Sequence, residues 1–247
     1  MILRAPYGDE ALDFDMAEGH VVSIALSFDE LGPNCFYAPL PTARPVIAGD
    51  FVGDTLQGGA VNFKTITINP HGNGTHTECV GHIATEQIYI RDVLRTSIHL
   101  CQVMTVWPTR AGDDRIITID SLTDVDPECK ALLIRTMPND DGKRHRQYSG
   151  SNPPYFDAKA LTHLRDVGVQ HLLTDLPSVD REEDGGKLAG HKAWWDYPAQ
   201  VDRQRTITEL VYVPSTLGDG VYMIDIQIAD LALDASPSRI MLYHPLG

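Results

Sequence analysis

"PPYFDAKALTHLRDVGVQHLLTDLP", residues 153 to 177, reads as a helix running into a strand. Phe156, Ala160, Leu161, Leu164 and Val167 recur at i, i+4, i+5, i+8 and i+11, which places them on one helical face. Gly168 follows at the point where a left-handed residue closes a helix. "VQHLLTDLP" (169 to 177) is then a short apolar run ending in turn residues, as a buried strand does. Upstream, "CKALLIRTMP" (129 to 138) is a second apolar run of strand length. Strand, helix and strand between 131 and 177 make a βαβ-like unit, and that assigns the chain to the α/β class.

Working outward, further strands are predicted at "HVVSIALSF" (20 to 28), "SIHLCQVMTVWP" (97 to 108), "TITELVYV" (206 to 213) and "YMIDIQIADL" (222 to 231). "VNFKTITINP" (61 to 70) alternates apolar and polar residues with period 2, so it reads as a strand that delivers whatever follows it. "LGPNCFYAPLPTARPVIAGD" (31 to 50) is Pro-rich and too long for a simple turn, the kind of loop that carries function. Strands outnumber helices. No self-similar repeat and no linker interrupts the chain, and 247 residues suffice for a sizeable core. The expectation is one α/β domain over residues 1 to 247.

Charge narrows the function classes. Twenty Lys and Arg against 34 Asp and Glu leave a formal net charge of −14, which disfavours phosphate backbones, so no nucleic-acid partner is expected. The one basic cluster, "GKRHRQ" (142 to 147), reads as a solvated loop, with steering of an anionic substrate as the alternative. Cys35, Cys79, Cys101 and Cys129 are scattered, without a CxxC pair. The opening residues "MILRAPYGDEALDFD" are acidic and lack an apolar run, and no stretch approaches the roughly 18 apolar residues of a membrane span. A soluble, cytoplasmic protein in a reducing compartment is expected, with no membrane partner.

Chemistry concentrates in "NPHGNGTHTECVGHI", residues 69 to 83. GxSxG, HExxH, GxxxxGK[ST] and GxGxxG are all absent, which weakens serine-hydrolase, zincin and nucleotide-binding readings. Imidazole and carboxylate together are ligands for Zn²⁺ or Mn²⁺. His76 and Glu78 stand two apart, so an extended backbone points both the same way, and His82 rejoins that face across a bend. Glycines at 72, 74 and 81 let the chain turn and approach a ligand. A polar loop with unrelated histidines is the alternative. Three histidines and a carboxylate within twelve residues favour the metal.

"GTHTECVGH" (74 to 82) resembles the HxGTHxDxPxH signature of the cyclase family of metal-dependent hydrolases, which includes bacterial kynurenine formamidases and isatin hydrolases. "LLTDLPSVDREEDGGKLAGHKAWW" (172 to 195) resembles the family's segment with a distant histidine, and "TITELVYV" its strand with a glutamate. The likeness runs in order over roughly residues 20 to 231, and only the first motif is specific by itself. It implies a swivelling β/β/α-type fold, with a mixed sheet flanked by helices, and a homodimer or homotetramer. It also implies a divalent metal, Zn or Mn. His76 and Glu78 match family ligands, with Glu where Asp is usual, and His82 matches the general acid/base. His191 and Glu209 match the pair that completes a second metal position.

Three departures stand out. The first family ligand aligns with Gly72, so His71 joins the site only through a one-residue bulge. Val80 replaces the usual Pro, and Gly81 adds flexibility before His82. Several residues carry two readings each. His191 could pack beside Trp194 and Trp195 instead of ligating, whereas Glu209, flanked by Ile207 and Leu210, needs a partner if buried. Asp175, Ser178 and Asp180 either orient ligands or form a turn. Cys79 is a small buried residue or a thiolate nucleophile. Phe36 and Tyr37 form an aromatic wall for the substrate or pack in the core.

The function implied is hydrolysis of a C–N bond other than a peptide bond, in a small arylformamidase-like amide, by metal-activated water with His82 as general acid/base. Imidazole, with its intrinsic pKa near neutrality, suits both proton transfers. A lactone or cyclic-imide hydrolase on the same site is the alternative. A catalytically retired binding protein is a third reading, supported by the missing histidine at 72.

Overall fold

Two apolar runs of strand length, Ala131–Thr136 and His171–Thr174, are buried at every residue, which requires cover on both faces. They pair in parallel at the centre of a nine-stranded mixed sheet in the computed structural model, which describes residues 1–29 and 31–246. In chain order the strands are β1 (Ile2–Tyr7), β2 (Glu10–Val21), β3 (His76–Cys79), β4 (Ile98–Val106), β5 (Ala131–Thr136), β6 (His171–Thr174), β7 (Thr206–Glu209), β8 (Gly220–Ile228) and β9 (Ala235–Pro245). Their order across the sheet is β1-β2-β9-β8-β4-β5-β6-β7-β3. Strands β4 to β7 run parallel, and the other pairings are antiparallel.

Strand β9 also pairs with β3, Ala235 opposite Glu78 and Pro237 opposite His76. That contact closes the sheet upon itself, so the single α/β domain is partly barrel-like. Between β5 and β6 runs α1 (Ala158–Asp166). Asp157 caps it by accepting from the Lys159 N–H at 3.2 Å, and Gly168, at φ +99°, follows its end. Ala160, Leu161 and Leu164 are its buried face. Phe156 lies outside the helix, in a short strand beside Ile117, yet is buried too. Helix α2 (Ala189–Trp195) packs on α1 and buries both of its tryptophans. Among the described residues, no helix is long and apolar enough to cross a membrane.

Three expectations need correction. The strand predicted over 20–28 lies upstream: β2 covers Glu10–Val21, and only His20 and Val21 belong to both. Val22 and Ile24 are buried, but the chain there only touches its neighbours singly, as at the Ser23–Val211 bridge. Of 61–70, Lys64–Thr67 pairs with Thr42–Pro45 in a separate two-stranded ribbon whose residues on that side are all exposed. The alternation there marks a strand outside the core, and the strand that carries the histidine motif is β3. The cluster 142–147 is not wholly solvated, because Lys143 is buried against Asp175 at 2.7 Å.

Candidate metal centre

Strand β3 alternates as a strand must. Thr77 turns inward, its Oγ1 2.8 Å from that of Thr208, and Cys79 joins the core. His76 and Glu78 share the other face. Thr75 ties the start of this segment to the barrel, accepting from the Ile24 N–H at 2.7 Å and donating to the Leu210 carbonyl.

The turn before it brings in the first imidazole. Asn69 and Asn73 brace this turn, Asn73 Oδ1 accepting from the Asn69 N–H at 2.7 Å and Asn69 Oδ1 from the Gly72 N–H at 3.1 Å. A Cβ at Gly72 would lie 2.3 Å from the Cβ of Ala38, so position 72 takes no side chain. His71 supplies the ring instead, its centroid 5.2 Å from that of His76. The bulge expected from the sequence is this turn. His82 follows β3 in a single 3-10 turn, Val80–His82. Gly81 serves close packing there, contrary to the flexibility expected: a Cβ would sit 2.1 Å from the Ile88 carbonyl oxygen. His191 comes from the first turns of α2, and Glu209 from the end of β7, in register with His76.

Glu78 is the hub. His71 Nδ1 lies 3.0 Å and His191 Nε2 3.2 Å from its carboxylate, with His82 Nδ1 at 3.8 Å. Glu209 Oε2 stands 3.4 Å from His76 Nε2, and its Oε1 accepts from the Val179 N–H at 3.0 Å. Ligand atoms of His71, His76 and Glu78 lie within 4.8 Å of one another, as do those of Glu78, His82 and His191. Yet among the described residues no well-aligned hydrogen bond reaches His76 Nε2 or either Glu78 oxygen, so His71 and His191 act on Glu78 as facing charges. Leaving such groups unsatisfied costs about 1–3 kcal/mol each, more when charged. A divalent cation among them removes that cost, and the donors present, imidazole and carboxylate, are of the type that binds one.

The rings are held from behind. His76 Nδ1 is 3.0 Å from the Gly74 carbonyl, His191 Nδ1 is 2.6 Å from Asp180, and His71 Nε2 is 2.9 Å from Asp234. Each tether leaves the other nitrogen turned toward the hub, as metal-ligating histidines are held. Electrostatics follow. Burial pulls the His71 imidazolium down, but Asp234 and Glu78 outweigh it and raise its pKa to about 10. Burial likewise opposes charge on His191, and Asp180 and Glu78 raise it to about 10. Burial pushes Glu78 up, but His82, His191 and His71 hold it well below the usual carboxylate range.

The structure closes most of the open readings. Asp180 orients His191 and also accepts from the Gly190 N–H at 2.5 Å, capping α2. Ser178 only accepts from the Asp180 N–H in a turn. Asp175 lies away from the hub, accepting from the Thr136 N–H and Lys143. Cys79 donates to the Ile88 carbonyl, and burial pushes its thiol up to about 12, which removes it as a nucleophile. Phe36 and Tyr37, at φ +57° and +52°, line a cavity of about 490 Å³ that opens onto His82 and Glu78. Both are exposed and stand outside the core. A larger cavity of about 610 Å³ lies elsewhere, beside His99 and His171. Neither ring belongs to a group of three potential ligands among the described residues.

Asp234, beside His71 and His82, is the residue of this cluster that the sequence does not point to. It stands in "LALDASP" at the head of β9, with no histidine or glutamate near it in sequence. Only the β9–β3 ladder brings it beside the hub.

Fold and donor set define a candidate site for a divalent metal. Residues 17–181, about two thirds of the chain, match the Cyclase family, and the chain belongs to that family. His191, Glu209 and Asp234 lie beyond the matched segment. Among solved structures, one described as a potential metal-dependent hydrolase with cyclase activity is 15% identical, with TM-score 0.66, covering 92% of this chain and 97% of that one. A structure described as a predicted metal-dependent hydrolase from Bacillus stearothermophilus is 17% identical, with TM-score 0.62, covering 92% and 98%. Isatin hydrolase A from Labrenzia aggregata, bound to benzyl benzoate, is 13% identical, with TM-score 0.65, covering 92% and 93%. At these identities the likeness is one of fold. No curated protein matches in sequence.

Proposed function

We propose that the protein hydrolyses a small amide, arylformamidase-like or cyclic, with a divalent metal, Zn or Mn. One observation carries this reading: among the described residues the buried Glu78 carboxylate and His76 Nε2 have no hydrogen-bond partner, while His71 and His191 stand within 3.2 Å of that carboxylate beside an open cavity. His71, His76 and Glu78 would hold the metal, and His191 and Glu209 would complete a second position. A metal bound there supplies Lewis-acid polarisation of the acyl carbonyl and lowers the pKa of water.

The chain's own residues do the rest. His82 Nδ1 lies 3.3 Å from Asp234, and among the described residues no hydrogen bond reaches His82 Nε2. That nitrogen takes a proton from the attacking water and returns one to the leaving nitrogen, so a C–O bond forms as the C–N bond breaks. Phe36 and Tyr37 offer a flat apolar wall to an aromatic or fused-ring substrate. The similarity of fold to an isatin hydrolase favours including cyclic amides among the substrates. Lactones would meet the same groups. His71 in the place of the ligand missing at 72 weighs against a retired binding protein. The working unit proposed is a homodimer or homotetramer.

Metal analysis of protein purified without added metal or chelator tests this, run beside a His76→Ala/Glu78→Ala variant. Near-stoichiometric Zn or Mn in the wild type, lost in the variant, is expected, together with hydrolysis of N-formyl aromatic amines or cyclic amides. A wild type that takes up neither metal when offered it would sink the reading.

A further inference from the structure

We propose that Asp234 is a positioning residue for two histidines at once: its Oδ2 fixes the ring tautomer of His71 and that of His82. The proposal rests on the metal reading of the site and deepens it. Asp234 sits at the head of β9, where its carbonyl accepts from the Cys79 N–H at 3.0 Å and the next residue, Ala235, pairs with Glu78. Its place relative to the hub is therefore set by the ladder that closes the barrel. From there Oδ2 reaches His71 Nε2 at 2.9 Å and His82 Nδ1 at 3.3 Å, between rings whose centroids are 4.3 Å apart.

Each bond decides which nitrogen is left over. With Nε2–H donated to Asp234, His71 presents Nδ1 to Glu78, 3.0 Å away. With Nδ1–H donated to Asp234, His82 keeps a lone pair on Nε2, which is what a proton acceptor needs. Among the described residues no other carboxylate does this for His82, because Glu78 Oε2 stands at 3.8 Å, too long for a hydrogen bond. The other two rings of the hub have tethers of their own, Gly74 for His76 and Asp180 for His191. The relocation of the first imidazole explains the need. Position 72 is filled by the Ala38 contact, so the ring arrives from the turn residue His71, and Asp234 supplies its tether.

The test measures Zn²⁺ affinity by competition with a chromophoric chelator, and ring tautomers by long-range ¹H–¹⁵N spectra. Wild type, Asp234→Asn, Asp234→Glu, His71→Ala and His71→Ala/Asp234→Ala are compared. Loss of an outer tether of this kind lowers metal affinity about 10–100-fold. Asp234→Asn is expected to lose that much, to turn the His82 ring into a tautomer mixture, to change the His71 ring pattern, and to leave the His191 pattern unchanged. Asp234→Glu restores part of the affinity. The double variant binds no more weakly than His71→Ala alone, because Asp234 acts on the metal through that ring. Unchanged affinity and unchanged ring patterns in Asp234→Asn overturn the proposal, and so do additive losses in the double variant. A wild type that binds no Zn²⁺ overturns the metal reading and this one with it. Wild-type binding with an indifferent Asn variant overturns this one alone. A metal-free unfolding curve for each variant separates global unfolding from a local effect, since His71→Ala removes the same tether by another route.

Discussion

His71 and His191 share one electrostatic position. Each faces Glu78 with one ring nitrogen and a second carboxylate, Asp234 or Asp180, with the other. Without metal, both therefore hold a proton up to about pH 10. A folded-state pKa above the ordinary histidine value of 6.5 adds stability that is fully present below pH 6.5 and is lost as pH rises toward 10. Glu78 and Asp234 are shifted the other way, so their contribution is present above the ordinary carboxylate values and is lost on acidification. The metal-free protein should be most heat-stable near pH 6.5, because His171, lowered to about 3 by burial, and His99, lowered too, cost stability below that pH, while His71 and His191 lose theirs above it. A metal replaces those protons, because ligating imidazoles are neutral. Calorimetric titration at pH 7 in buffers of different ionisation heat should therefore show about two protons released per occupied centre. Binding without proton release would mean that the two rings are neutral before the metal arrives.

At the scale of elements, Lys143 and Asp175 join the short turn at 141–145 to the end of β6. Lys143 Nζ reaches Asp175 at 2.7 Å and the Thr136 carbonyl at 2.6 Å, with both side chains almost wholly buried. Lys143→Met should cost about 3–5 kcal/mol in urea unfolding, because it strands a buried carboxylate. Lys143→Met/Asp175→Leu should recover most of that, since an apolar pair replaces an ion pair at little net cost. A single variant within about 1 kcal/mol of wild type would show that water reaches the pair. The same elements show what a sequence conveys. Strands β5 and β6 were legible because a parallel strand covered on both faces is a continuous apolar run. The β1–β2 hairpin was missed although its turn, Gly8–Asp9 between Tyr7 and Glu10, is a two-residue hairpin signal. Its strands are half-exposed and carry acidic residues, so they lack the apolar signature of the core. His71, His76, Glu78 and His82 were legible because they are close in sequence, and His191 and Glu209 through a family likeness. Asp234 depends on a strand pairing that no local pattern encodes.

Over the whole molecule, one feature lacks a core of its own. Residues 42–67 form an arm of two small ribbons, Thr42–Pro45 with Lys64–Thr67 and Ile47–Ala48 with Phe51–Val52. Main-chain bonds order it, including Val46 N–H to the Phe63 carbonyl at 2.9 Å and Gly53 N–H to the Val46 carbonyl at 2.9 Å. Glycines let its backbones touch: a Cβ at Gly59 would lie 1.9 Å from the Val52 carbonyl oxygen. Most of its apolar side chains face solvent. Leu56 is 95% exposed, Ile47 64%, Phe63 58% and Ile66 55%, and the one internal pairing is Phe51 edge-on to Phe63 at 6.1 Å. Exposed apolar groups on an ordered arm are the kind of surface that a protein partner covers. A second copy of this chain is the occupant that fits the proposed oligomer, and the arm leaves the body a few residues after Phe36 and Tyr37, so its docking would shape the cavity mouth as well. Light scattering at micromolar concentration should give the mass of a dimer or tetramer. Leu56→Asp/Phe63→Asp, which charges the arm without touching the metal centre, should yield a monomer that still binds metal. It should also bind substrate more weakly, with KM raised more than kcat is lowered. A wild type that is monomeric throughout, or a charged-arm variant that assembles as before, would place the interface elsewhere.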